Sequence, residues 1–381
     1  MGLSDGAARE TNSSNRSHLR EQPLPPEVEA RFGKIKAAGK FTGDPETVHR
    51  ILVRSPNWVG DAVMSLPLLN GLRHFFPQAA ITVLAARRVA ALFSGQPEVA
   101  ETVTYPYGKG RWQVLWGLRN RFDLALALPN SLESAMGLWL TGVPIRVGYR
   151  ADARSPFLNL GLSGRKNLAG LHQVYYFLGL LTAFGKFSTF QAPSLALKPE
   201  EAQRAADFLA AAELPGSGPW VGLSPGAAYG PAKRWPPERV AALGAKLRQG
   251  FDARLVLLGG PEERPVADSI RQLLPDPVLD LVGRTDLRQA LALLSQLDLL
   301  VTNDSGLMHA AAALEVPLVA IFGSTDPVAT GPFSSRATVL RHPLECGPCF
   351  KRTCDLGYAC LEAVTVPEVL AAARIWLEKV P

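Results

Sequence analysis

Short, continuously apolar segments recur along this chain, each running out into a loop and then into a helical pattern. The first set is HRILVR (49–54), AAITVLA (79–85), ETVTYP (101–106), DLALALP (123–129) and IRVGY (145–149). A strand that is apolar on both faces has to be covered on both faces. That requires helical crossovers and a parallel sheet. The alternation breaks over 186–200, KFSTFQAPSLALKPE, and then restarts. The second set is PWVGLSPG (219–226), RLVLLGG (254–260), LDLVG (279–283), DLLVTND (298–304) and PLVAIFG (317–323). A chain of 381 residues is long enough for two cores. The expected fold is therefore α/β, with two Rossmann-like parallel-sheet domains over 48–190 and 191–365. A last helix covers Val366–Lys379 within the terminal segment 366–381. The polar, Pro/Gly-punctuated segment 1–47 reads as a mostly disordered extension with a short helix near 26–39.

The net charge of +6 is unevenly spread. Residues 48–190 hold 15 Lys and Arg against 6 Asp and Glu, whereas 191–381 hold 18 against 21. A basic first half implies an anionic partner. The cations are scattered (Arg87, Arg88, Arg111, Arg119, Arg121, Arg146, Arg150, Arg154), with no groove-reading helix or aromatic RNA platform among them. This favours a membrane-associated anionic acceptor over nucleic acid. No apolar run approaches the roughly 20 residues that span a bilayer, and the first residues lack an apolar signal core. The expected location is cytoplasmic, with a peripheral position on the cytoplasmic face of the inner membrane left open.

In open parallel sheets, ligands bind beyond the carboxyl ends of the strands, so the loops there are the candidate sites. In LLVTNDSGLMHAAAAL, Asp304, Ser305 and Gly306 stand at the start of a helix, where free N–H groups and the helix dipole favour an anion. Ser305 can cap, Gly306 lets a phosphate approach the backbone, and Asp304 can accept hydrogen bonds from sugar hydroxyls. An ordinary N-cap explains the same residues equally well. His309, one turn on, either faces the ligand or packs. In SPGAAYGPAKRWPPERV, Lys233 and Arg234 precede a helix and form a second phosphate site. In PNWVGDAV, Asp61 is either a cap or a general base. In GGPEERP, Glu262 either binds a hydroxyl or caps. No G-x-G-x-x-G follows the first strand, which argues against a classical dehydrogenase.

Taken together, ILVRSPNWVGDAVMSLPLLNGLRHFFPQAAITVL, LSPGAAYGPAKRWP and VTNDSGLMHAAAALEVPLVAIFGSTDP resemble the ADP-heptose:lipopolysaccharide heptosyltransferases, glycosyltransferase family 9. The resemblance runs from about residue 50 to the C-terminus and is greatest to the members that add the second heptose. It implies a GT-B fold, with an acceptor domain and an ADP-heptose domain facing across a cleft and the last helix packing back on the first domain. By position, Asp61 matches the proposed base, Lys233 the cation on the donor phosphates and Asp304 the acid that holds the heptose hydroxyls. Amides near Ser305 and Gly306 would hold the diphosphate, with His309 nearby. The implied reaction is an inverting displacement that requires no metal or other cofactor. It transfers heptose from ADP-heptose to a Kdo-lipid A type acceptor, heptosyl-Kdo2-lipid A in the second-heptose case. The alternatives are transfer of the first heptose, another nucleotide-sugar transferase, a nucleotide-sugar epimerase or hydrolase, and a non-catalytic nucleotide-sugar or metal-binding protein. The four cysteines, Cys346, Cys349, Cys354 and Cys360, fall within CGPCFKRTCDLGYAC. Their spacing fits no familiar zinc or ferredoxin pattern, and it leaves metal, redox and plain thiol use equally open.

Overall fold

The computed structural model describes residues 21–379 apart from 40, 107, 109, 152 and 276. The reading of 1–20 lies outside the described residues. The first strands are β1 (Glu21–Pro23), β2 (Lys36–Ala37), β3 (Arg50–Arg54), β4 (Ala80–Ala86) and β5 (Val99–Tyr105). They are followed by β6 (Leu124–Ala127), β7 (Ile145–Tyr149), β8 (Leu160–Ser163) and β9 (Thr189–Gln191). The second half contributes β10 (Trp220–Ser224), β11 (Arg254–Leu257), β12 (Leu279–Asp280), β13 (Leu299–Asn303), β14 (Leu318–Ile321) and β15 (Ala337–Leu340).

Seven strands form one sheet in the order β2-β8-β7-β6-β3-β4-β5, and six form another in the order β12-β11-β10-β13-β14-β15. Every neighbouring pair in both sheets is parallel except β2 with β8. Apart from β2, each sheet starts in its middle, winds to one edge, and then returns to wind to the other. The strand order therefore reverses between β3 and β6 in the first sheet and between β10 and β13 in the second. Such a reversal opens a crevice at the strand ends, where ligands bind. The central strands are apolar because helices cover both faces: Ile51, Leu52, Leu124, Leu126, Val221, Leu255, Leu299 and Val319 are all buried.

Two expectations are corrected. The disorder expected over 1–47 does not hold for 21–47. β1 pairs antiparallel with β9, so the start of the described chain is tied to the segment that joins the two sheets. The helix Pro26–Phe32 buries Val28 and Phe32, four residues apart on one face, and the Phe32 ring lies 5.6 Å from Phe187. The short helix expected near 26–39 is this one, and two buried side chains suffice to seat it. The terminal helix Val366–Leu377 also does not cross to the first sheet. It buries Val369, Ala372, Ala373 and Leu377 in the core of the second. Trp376 Nε1 donates to Thr338 Oγ1 on β15 at 3.0 Å.

The two sheets are held side by side by an aromatic contact. Phe333, between β14 and β15, packs against His172, Tyr175 and Phe190 at ring distances of 5.0, 5.9 and 6.0 Å. His172 Nδ1 accepts the Val174 N–H at 3.2 Å, leaving Nε2 to donate to the Gly331 carbonyl at 2.9 Å.

Replacing Phe32 by alanine should cost about 3 kcal/mol, the usual loss for a buried phenylalanine. An unchanged melting temperature would show that the segment before β3 is not part of the cooperative fold.

Candidate active site

Three of the loops singled out in the sequence meet at the facing strand ends. Asp304 follows β13 directly and is buried. Its Oδ2 accepts from Lys233 Nζ at 2.5 Å and from Thr325 Oγ1 at 2.6 Å. Lys233 comes from the loop after β10 and Thr325 from the loop after β14. One carboxylate oxygen thus ties three strand ends together. Asp61 is in the first turn of the helix Val59–Met64, which follows β3 of the other sheet. Burial raises its carboxyl from the ordinary 3.8 to about 6; the Lys233 ammonium opposes this and the Asp304 carboxylate reinforces it. A carboxylate, an ammonium and a second carboxylate therefore face one another across the two reversal points.

The loop carrying Lys233 is held from several sides. Asn303 Oδ1 accepts the Trp235 N–H at 3.1 Å, and its Nδ2 donates to the Pro225 carbonyl at 2.6 Å. Trp235 is buried, with Nε1 donating to Val364 O at 3.0 Å. The Lys233 ammonium also sits 4.8 Å over the Tyr229 ring. The cysteine loop braces the same segment. The Ala232 N–H donates to Arg352 O at 3.0 Å and Tyr229 Oη to Phe350 O at 2.5 Å, while the Phe350 N–H donates to Ser324 O at 2.9 Å. The four cysteines are free and line one cavity of about 50 Å³. Among the described residues, no three His, Cys, Asp or Glu side chains are set out as ligands of one ion.

The helices Val59–Met64 and Gly306–Ala313 touch at their first turns. A methyl group on Gly306 would lie 2.7 Å from Val59 Cβ, and one on Gly60 would lie 2.7 Å from the His309 ring. Ser305 caps its helix, accepting the Met308 N–H at 3.4 Å. His309 is buried against Gly60, and burial lowers its pKa to about 4, so it is neutral at physiological pH. It packs at the junction of the two domains.

Two other expected site residues lie differently. Arg234 turns back on its own loop, donating from Nη2 and Nε to Ala227 O at 3.1 and 3.3 Å. It is not presented beside Lys233. Glu262 is exposed, and the inward acid is its neighbour Glu263. The tight turn Pro261–Glu263 brings Glu263 Oε2 back to the Gly260 N–H at 2.8 Å. Its carboxylate lies where side chains on Gly226 and Gly259 would be, and burial raises its pKa. Arg154, counted among the scattered cations, is buried. Its guanidinium donates to the carbonyls of Tyr149, Pro129 and Ala127 at the ends of β6 and β7.

On the first domain, the loop 55–58 leading to Asp61 is fixed by groups the sequence did not single out. Arg54 is buried 4.2 Å over the Tyr105 ring and donates to Ser55 O at 2.9 Å. Tyr105 Oη donates to Asn57 Oδ1 at 2.7 Å, and Arg88 Nε to Asn57 O at 2.6 Å.

The family model for glycosyltransferase family 9 (heptosyltransferase) matches residues 111–359. The chain belongs to glycosyltransferase family 9. It is 36% identical over 310 residues to lipooligosaccharide heptosyltransferase 2 of Haemophilus influenzae, covering 76% of this chain and 88% of that protein. It is 36% identical over 312 residues to lipopolysaccharide heptosyltransferase 2 of Escherichia coli K12, covering 77% and 88%. The solved structure of E. coli ADP-heptose lps heptosyltransferase II superposes with a TM-score of 0.74 at 31% identity, covering 87% of this chain and 99% of that one. This family 9 member is thus a glycosyltransferase with the two-domain GT-B fold.

The raised pKa of Asp61 has a consequence for stability. Between 3.8 and about 6 the folded chain holds a proton that the unfolded chain has lost. The contribution of this group to stability therefore falls as pH rises through that window. Asp61→Asn should add roughly 1–3 kcal/mol above about pH 7 and nothing below about pH 4. Thermal melts at the two pH values check this; an equal effect at both would mean the carboxyl is not desolvated.

Proposed function

We propose that this glycosyltransferase moves heptose from ADP-heptose onto the inner core of lipopolysaccharide, adding the second heptose to a heptosyl-Kdo-lipid A acceptor. The observation that carries this reading is the Lys233–Asp304 pair facing Asp61 across the cleft. In the reaction, the acceptor hydroxyl oxygen forms a bond to the anomeric carbon of heptose. The bond from that carbon to the ADP oxygen breaks, ADP leaves with the electron pair, and the hydroxyl proton passes to Asp61. Attack opposite the leaving group inverts the anomeric centre.

A base whose pKa is near 6 is deprotonated at neutral pH and still basic enough to take a proton as the bond forms. Lys233 supplies positive charge to the diphosphate as negative charge grows on it. Asp304, held by Thr325, aligns the ammonium before the donor arrives, and its position at the strand end suits it to the heptose hydroxyls. Ser305 and Gly306 open the helix Gly306–Ala313, whose first N–H groups and dipole suit an anion. The acceptor enters from the basic first domain, with this chain at the cytoplasmic face of the inner membrane. No helix among the described residues is long and apolar enough to cross a membrane.

The direct test is a transfer assay with ADP-heptose and two acceptors, Kdo-lipid A with and without one heptose. Product from the heptosylated acceptor alone is the expected result. Product from the bare acceptor alone would make this a first-heptose enzyme, and product from neither would remove the heptose reading. In the same assay, kcat/KM should drop about tenfold per unit below pH ~6. Lys233→Ala should weaken ADP binding by about ten- to a hundredfold, as expected for losing one charge-assisted contact. Unchanged affinity by calorimetry would take Lys233 away from the phosphates.

A further inference from the structure

The helix Leu132–Leu140, LESAMGLWL, is apolar on the side that faces away from the protein. Ser134, Ala135, Gly137 and Leu138 are buried beneath it. Leu132 and Trp139 are 42% and 51% exposed, with the half-buried Met136 between them. The spacing 132, 136, 139 places all three on one stripe, where a surface helix ordinarily carries polar groups. The neighbouring helix Gly110–Gly117 packs on its inner side, Leu115 reaching to within 3.1 Å of where a Gly137 side chain would begin. That helix leaves Trp116 62% exposed, with the Arg119 guanidinium 4.2 Å over the ring. Arg121 follows, also exposed. Glu133, the one acid on the Leu132–Leu140 helix, is neutralised by Arg111 at 3.2 Å and Arg54 at 3.8 Å. Through Arg54 the helix adjoins the loop 55–58, where Trp58 is 43% exposed beneath Arg88 at 4.5 Å.

Among the described residues, the tryptophans that are more than one-third exposed, Trp58, Trp116 and Trp139, all lie in this domain. The same domain carries the basic surplus, 15 cations to 6 anions over 48–190. Tryptophan and leucine insert at the headgroup level of a bilayer, and arginines beside them engage anionic headgroups. We infer that the outward face of the helices Gly110–Gly117 and Leu132–Leu140 docks this chain on an anionic lipid bilayer. This rests on the proposed lipid acceptor and specifies how the acceptor domain meets the surface that holds it. Glu133 on this helix pairs with Arg54, which directly precedes the loop 55–58 leading to Asp61, so the docked face adjoins that loop.

The test uses the full chain and vesicles that contain neither acceptor nor donor. Phosphatidylcholine vesicles are compared with vesicles containing about a third phosphatidylglycerol. Sedimentation should show binding to the anionic vesicles only, weakening with salt. Leu132→Ser with Trp139→Ser should lower the apparent affinity about tenfold, and Arg119→Glu with Arg121→Glu should do the same. Transfer to a deacylated, water-soluble acceptor should be unchanged in both variants, while transfer to vesicle-embedded acceptor falls. Equal binding by wild type and variants, or no preference for anionic vesicles, would overturn the inference. So would a wild-type dimer that the serine variant splits in sedimentation velocity, since the face would then belong to a second copy. Because the sedimentation vesicles hold no sugar substrate, failure of the heptose assignment would appear in the transfer assays and leave vesicle binding unchanged.

Discussion

A carboxylate buried at the end of a central strand has to be matched, and the matching of Asp304 organises the strand ends of the second domain. Removing one partner from a buried ion pair leaves an uncompensated charge, which costs more than the pair contributes. The pair therefore does more to fix geometry than to add stability. To reach Asp304, Lys233 must leave its loop at one place. That place is set by Asn303, whose amide clamps the start and end of the loop, and by Trp235, sunk into the core. The cysteine loop closes over the outside through the carbonyls of Phe350 and Arg352. Its position explains how this segment bears on the site: it is the outer wall of the Lys233 loop, and its Arg352 guanidinium shares the Tyr229 ring with the Lys233 ammonium.

Much of this was legible in the sequence because the main signals are physical and local. Strands such as LLV (299–301) and ILV (51–53) read as central parallel strands since nothing polar interrupts them, and the polar residues at their carboxyl ends are at the cleft by topology alone. Asp61, Lys233 and Asp304 come together for that reason. What was missed depends on which way a side chain turns. Glu262 and Glu263 are adjacent and identical in type, and only the turn at Pro261 decides that the second faces inward. Arg234 follows Lys233, but the short 3-10 turn Pro231–Lys233 ends between them, and the Arg234 guanidinium turns back to Ala227 O. Thr325 lies 21 residues beyond the carboxylate it bonds, and only sheet order brings them together. The short strands β8 and β15 carry too few apolar residues to show a period, and they form because a neighbouring edge is already there.

The two halves of the molecule divide the electrostatic work. At the cleft the second sets a few charges that are mutually satisfied, Lys233 and Asp304 above all. The first is broadly basic, and several of its arginines serve the protein itself: Arg54 stacks on Tyr105, Arg88 holds the loop at Asn57, and Arg154 binds the strand-end carbonyls. A charge count along the sequence cannot separate such internal arginines from those that face a partner. Geometry can: Arg54, Arg88 and Arg154 each donate to a backbone carbonyl, whereas Arg119 lies over the exposed ring of Trp116.

The contact between the first turns of Val59–Met64 and Gly306–Ala313 limits how the cleft can work. At Gly60 and Gly306 the backbones already touch the opposite domain, and there is no space into which either could advance. Sliding the domains together is therefore barred at this point. Asp61 and Asp304 flank that contact, so their spacing is set where the two domains pack most tightly, and any bulk added at Gly60 or Gly306 would be felt directly between the two carboxylates.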